Sequence, residues 1–141
     1  EWLKARPTAG NLEEAQILAH VSAVMERNWQ ARFIDWGRVS EANADLSRMA
    51  AVPDALGFRK KAGEWSEDNQ AFLFYVTRAR FAEEFGTKGG FKPKRVAAVL
   101  RAKGILKCDP DAATLKETLP NGDPRSYCII GRKLWEAGPD A

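Results

Sequence analysis

Residues 77–104, TRARFAEEFGTKGGFKPKRVAAVLRAKG, hold two helix patterns joined by a glycine-rich turn. In the first, Thr77 can cap a helix over residues 78–85, and Ala79, Phe81, Ala82 and Phe85 supply its core face. Gly86 is expected to stop it, and Thr87-Lys88-Gly89-Gly90 reads as a flexible turn. In the second, Pro93 suits the first helical position and Gly104 suits the position just past the end. Val96, Val99 and Leu100 form a buried stripe, while Lys94, Arg95, Ala98 and Arg101 point away from it. Long cations around a small residue suit close approach to a duplex groove. The cations reach phosphates or base edges, and the alanine avoids a clash.

Upstream, residues 11–30 read as an amphipathic helix. Asn11 can cap it, Glu13 and Glu14 sit in its first turn, and Leu12, Ala15, Ala19, Ile17, Val21, Val24 and Met25 give a wide apolar stripe. Residues 31–34 fit an edge strand. Residues 35–54 read as loop with one short helix near 41–49. Strand patterns follow at 56–60 and 71–76, with a polar turn over 63–69 between them; the second run, Phe72-Leu73-Phe74-Tyr75-Val76, has the aromatic and β-branched content of a buried strand.

Downstream, Ile105-Leu106-Lys107, residues 114–119 and residues 126–130 are strand-like. Pro120-Asn121-Gly122-Asp123-Pro124 marks a hairpin turn between the last two. The order is helix, strand, helix, helix, strand, strand, and its last five elements match a winged helix-turn-helix in the α+β class, with an additional N-terminal helix and an insertion of loop and short strands after it. The second helix of the pair would be the recognition helix and the hairpin the wing. The expected organisation is a linker over 1–10, a helix and insertion packed on the core over 11–70, the winged core over 71–135, and a flexible tail over 136–141. The start at Glu1 without Met, and the tail Gly138-Pro139-Asp140-Ala141, suggest a segment of a larger protein.

Charge is distributed unevenly. Residues 1–70 hold 9 Lys/Arg against 11 Asp/Glu, whereas residues 71–141 hold 13 against 8. Residues 77–107 alone carry nine basic and two acidic residues. Such a patch points to a polyanion, most commonly DNA or RNA; a solvated face is the plainer alternative.

Little here resembles catalytic or metal chemistry. His20, the single histidine, sits inside the first helix pattern and reads as a structural residue, without a convincing carboxylate partner in Glu13, Glu14 or Glu26. Cys108, Cys128 and His20 lack zinc-motif spacing, and two free thiols in a reducing cytoplasm fit better than a disulfide framework. The acidic clusters at 64–68 and 109–111 read as solvated loops. The sequence has no phosphate-binding loop of the Gly-x-x-x-x-Gly-Lys-Ser/Thr kind, no run of about 18 apolar residues and no signal peptide. No enzyme activity, cofactor or metal is expected of this segment.

A family resemblance rests on Gly57-Phe58-Arg59, Phe74-Tyr75-Val76-Thr77, Phe81-Ala82-Glu83-Glu84-Phe85, Gly90-Phe91-Lys92-Pro93-Lys94-Arg95-Val96-Ala97, Leu100-Arg101-Ala102-Lys103-Gly104-Ile105-Leu106, then Lys116, Leu119-Pro120 and Ser126-Tyr127-Cys128-Ile129-Ile130. These strings resemble the C-terminal segment of DUF927 proteins, helicase- or primase-like ATPases of phages, plasmids and integrated elements. Its specific part covers about residues 72–130. One departure stands out. An Asp is expected before the helix proline, and Lys92 occupies that place, which removes a cap and puts a cation at the positive end of the helix dipole. The resemblance implies a parent that couples nucleotide hydrolysis to DNA unwinding or replication initiation, with this segment as a DNA-binding accessory.

The candidate nucleic-acid contacts are Lys94, Arg95 and Arg101 on the third helix, Lys88 and Lys92 at its approach, Lys116 and Arg125 on the wing, and Arg78 and Arg80 on the preceding helix. The expected partner is DNA, whether duplex, single-stranded or forked. Other replication proteins or the parent ATPase domain are further partners, and a membrane is not. The competing reading is a winged-helix protein-interaction module with an exposed apolar patch near Trp36 or Trp135. Trp135 either packs a short terminal helix back on the core or faces a partner. Tyr75 and Tyr127 would stack on bases if exposed, though their strand positions favour core packing.

Overall fold

The computed structural model describes residues 9–36, 55–61, 72–120 and 122–136. The expected short helix near 41–49, the turn at 63–69, the acidic cluster at 64–68 and Trp65 lie outside these residues.

The chain forms a mixed α+β fold with helices against an open sheet. Helix α1 (Ala9–Asn28) precedes β1 (Phe33–Asp35), β2 (Gly57–Lys61) and β3 (Phe72–Val76). Helix α2 starts at Arg78–Arg80, widens into π turns over Phe81–Gly86 and tightens into a 3₁₀ turn over Thr87–Gly89. Then come α3 (Pro93–Ala102), β4 (Leu106–Lys107), β5 (Leu115–Lys116), β6 (Arg125–Ile130) and α4 (Gly131–Glu136). No helix among the described residues is long and apolar enough to cross a membrane.

The sheet order is β1-β2-β3-β6-β4, with β5 pairing the start of β6. β1 runs parallel to β2, and the remaining pairings are antiparallel. β3 is central in the sheet and carries a hydrophobic core on each of its two faces, which explains its unbroken apolar sequence. Alternation sends Phe72, Phe74 and Val76 into the helix-facing core and Leu73 and Tyr75 to the opposite face. On β6, Tyr127 and Ile129 face the helices and Cys128 faces away.

The helix-facing core takes Ile17, Val21, Val24 and Met25 from α1, Phe81 and Phe85 from α2, Val96, Ala97, Val99 and Leu100 from α3, and Leu134 from α4. The smaller cluster behind the sheet gathers Ile34, Phe58, Tyr75, Leu119 and Cys128, with Trp36 packed on it. The stripe on α1 is narrower than its sequence suggests. Leu12, Ala15 and Ala19 are exposed, so burial follows the spacing of Ile17, Val21, Val24 and Met25 alone.

Helix boundaries correct three expectations. α1 begins at Ala9, so Asn11 lies inside it and its first turn carries no acidic residue. α1 ends at Asn28, whose Nδ2 donates to the Val24 carbonyl at 2.6 Å. Gly86 does not stop α2; the winding continues to Gly90. There Gly90 adopts φ 80°, with Phe91 N–H donating to Gly86 O (3.0 Å) and Gly90 N–H to Thr87 O (3.1 Å). α3 ends in the same way at Gly104 (φ 73°): Ile105 N–H donates to Leu100 O (2.9 Å) and Gly104 N–H to Arg101 O (3.0 Å). In each case a left-handed glycine satisfies two orphan carbonyls, and the following apolar residue folds back over the helix end. At the other ends, Thr77 and Lys92 occupy N-cap positions with no side-chain cap bond.

The strand segment expected at 114–119 pairs only over Leu115–Lys116, with Leu115 opposite Ser126 and Lys116 opposite Arg125. The chain then turns back through Leu119 N–H to Asp123 O at 2.8 Å, and Gly122 takes φ 94°.

Candidate nucleic-acid interface

On α3, Lys94, Ala97, Ala98, Arg101 and Ala102 recur at i, i+3, i+4, i+7 and i+8, so they share one helix face. This face forms one wall of an open groove of about 540 Å³, whose remaining lining is Ala113 and Tyr127. Ala97 is 3% exposed and lies deepest, whereas Ala98 is exposed. Cations therefore flank a floor of small side chains, and none of the seven lining residues is acidic. The Tyr127 ring stacks on the buried Phe81 ring at 3.9 Å between centroids and 17° between planes. The loop after β4 is tied to the end of α3, because the Arg101 guanidinium donates to the Pro110 carbonyl.

The structure separates the sequence-derived cations into two sets. Lys94 and Arg101 meet in the groove. Lys92 and Arg78 are exposed at the N-terminal ends of α3 and α2, and Lys116 is exposed on β5. The others are engaged within the fold. Arg95 Nε donates to Glu13 Oε1 of α1 at 2.7 Å. Lys88 pairs with Glu84 at 2.8 Å, Arg80 lies 3.8 Å from Glu83, and Arg125 pairs with Asp109 at 2.9 Å and donates to Thr114 Oγ1 at 3.2 Å. Lys103, 3.8 Å from Glu14, adds a second ion pair between α1 and α3.

A second, polar cleft of about 270 Å³ lies between α1 and α2, lined by His20, Val24, Arg27, Asn28, Arg32, Glu84 and Lys88. Its centre is the Glu84 carboxylate, buried yet held by Arg32 at 2.9 Å and Lys88 at 2.8 Å. Burial acts to raise the Glu84 pKa, but hydrogen bonds and charge from Lys88 and Arg32 outweigh it, and the carboxyl sits below its ordinary range. His20 Nε2 lies 2.8 Å from the Glu84 backbone carbonyl, so it donates there and fixes the tautomer. A Cβ on Gly89 would come within 2.5 Å of the His20 ring. His20 is thus a structural bolt between α1 and the π turns, as its place in the first helix suggested.

Tyr75, 1% exposed, donates to Glu117 Oε1 at 3.0 Å. Burial, then the neighbouring Cys128 and Glu117, push its phenol well above the ordinary range. It is core, whereas Tyr127 is half-buried and reaches the groove. Trp36 packs edge-on against Tyr75 at 4.8 Å under the Lys60 ammonium, also at 4.8 Å. Trp135 packs α4 back on the core, 6.4 Å from Phe74, and donates to Glu26 at 2.9 Å. Cys108 and Cys128 are both free thiols. Among the described residues no three His, Cys, Asp or Glu side chains assemble as a metal site.

Sequence reasoning missed Ala97, Ala102 and Ala113 as parts of the site. The signal for the first two was the unbroken spacing from Lys94 to Ala102; Ala113 arrives by tertiary folding and had no local signal. In comparisons with known proteins, no family model, curated protein or solved structure matches this chain.

Proposed function

We propose that this chain is a winged-helix DNA-binding domain that holds phosphates through Lys92, Lys94 and Arg101 on α3 and through Lys116 on the β5–β6 hairpin. In this reading β3, α2, α3, β4, β5 and β6 are the winged core, α3 is its phosphate-facing second helix, the β5–β6 hairpin is the wing, α1 is an added helix, and β1 and β2 extend the sheet. The observation that carries it is the α3 groove, with two cations, no carboxylate and a small-residue floor. A protein-interaction module is the competing reading, supported by the apolar part of that same lining. Trp36 and Trp135 lend it less, since both are packed into the fold. From the resemblance of its strings to DUF927 proteins we further propose that the domain serves as an accessory of a mobile-element replicative helicase or primase-helicase.

The test is fluorescence anisotropy on a duplex at several salt concentrations. Binding should weaken steeply with salt, because each neutralised phosphate releases counterions. The Lys94→Ala/Arg101→Ala variant should bind more weakly and lower the salt slope by about 2. Absence of binding to any DNA form at low salt overturns the proposal.

A further inference from the structure

We infer that the α3 groove receives an unpaired nucleobase of single-stranded DNA, which stacks on Tyr127 while Lys94 and Arg101 hold its flanking phosphates. This rests on the DNA-binding reading and narrows it to one form of the ligand. A helix that reads a duplex must be the most protruding part of the surface, because its side chains enter a groove about 12 Å wide. Here α3 is instead one wall of a concavity, and the Arg101–Pro110 bond holds the loop after β4 close to the C-terminal half of the helix. A volume of about 540 Å³ lies within the roughly 300–1,000 Å³ of small-molecule and cofactor clefts in general.

The chemistry of the lining fits a nucleotide better than an apolar peptide side chain. Tyr127 already has one ring face covered by Phe81, so a base laid on its other side becomes the third member of a stack. Ala97, Ala98, Ala102 and Ala113 leave room for a flat ring and make no demand on base identity. Lys94 and Arg101 stand two helical turns apart, about 10 Å along the axis, at opposite ends of the floor. Arg101 keeps most of its five N–H donors after bonding to Pro110. Stacking on an aromatic ring between backbone-tracking cations is the general mode of sequence-tolerant single-strand binding.

The test compares an oligothymidine single strand carrying one 2-aminopurine with a blunt mixed-sequence duplex, on the wild type and on Ala98→Leu. Leucine is a good helix former at an exposed helical site; it projects into the groove over the small-residue floor and leaves every cation in place. Circular dichroism checks that the variant is folded. The wild type should bind the single strand more tightly than the duplex at equal salt, and 2-aminopurine emission should change on binding. Ala98→Leu should lose about tenfold or more on the single strand, within the range expected for one stacked base, should abolish the change in 2-aminopurine emission, and should lose distinctly less on the duplex. Undiminished single-strand binding by Ala98→Leu, or equal losses on both forms, overturns the base site and leaves the phosphate reading standing. If the wild type binds neither DNA form at low salt, both readings fall.

Discussion

Arg95 Nε and Glu13 Oε1 lie 2.7 Å apart, so the cation next to Lys94 leans onto α1 rather than outward from α3. Both side chains remain roughly two-fifths exposed, and an exposed ion pair contributes about 0–1 kcal/mol. Glu13→Gln should therefore leave stability within about 1 kcal/mol of wild type in urea melts. It should also free Arg95 for a polyanion and tighten DNA binding at low salt, an effect that fades as salt is raised. Weaker DNA binding by Glu13→Gln would remove Arg95 from the interface.

Gly89 and His20 form a tight contact that a double-mutant cycle can resolve. Gly89→Ala pushes the His20 ring off the Glu84 carbonyl and should cost about 0.5–1.5 kcal/mol, the net worth of a part-buried hydrogen bond. In the His20→Ala background the same change should cost much less, giving a coupling of at least about 0.5 kcal/mol. Additive losses in thermal or urea melts would show that the contact relaxes without disturbing the bond.

Glu84 should give stability a pH dependence of known sign. Its folded-state pKa is lowered, so the stabilisation is complete above the unfolded carboxylate value, about 4.3, and is lost as pH falls through the lower folded value. Glu84→Gln should be less stable at pH 7 by about 1–3 kcal/mol, and the gap should close in acid. A constant gap between pH 7 and pH 3 would show that the loss is one of packing and not of charge.

The two cysteines should react in sequence. Burial is the main cause that pushes the Cys128 thiol up to about 12, and the thiolate is the reactive form. Cys108 is half-buried at the end of β4. Iodoacetamide at pH 8 followed by peptide mapping should label Cys108 in the folded protein and Cys128 only as the denaturant midpoint is approached. Early labelling of Cys128 would mean that β6 opens locally, without global unfolding.

The sequence by itself determined the local elements. The period-four apolar spacing of α1, the solid apolar run of β3, the Pro93 and Gly104 punctuation of α3 and the Asn-Gly turn before β6 each express a preference that a few consecutive residues settle. Their order fixed an α+β fold. The basic character of α3 was equally legible, because a helix face follows from spacing alone. Where α2 ends was not legible from Gly86, since Gly90 supplies the left-handed geometry that closes the winding.

Only the tertiary structure decided which cations stay available. Arg95 and Lys103 are drawn to Glu13 and Glu14, residues about 80–90 positions earlier, and Lys88 to a carboxylate shared with Arg32. Charge counts cannot anticipate this pairing, because Coulomb attraction depends on separation in space and carries no trace in local sequence. The groove has the same origin. One wall is a stripe of α3, but Ala113 and Tyr127 reach it from a loop and a strand, and a cavity exists only once separate segments are packed around it.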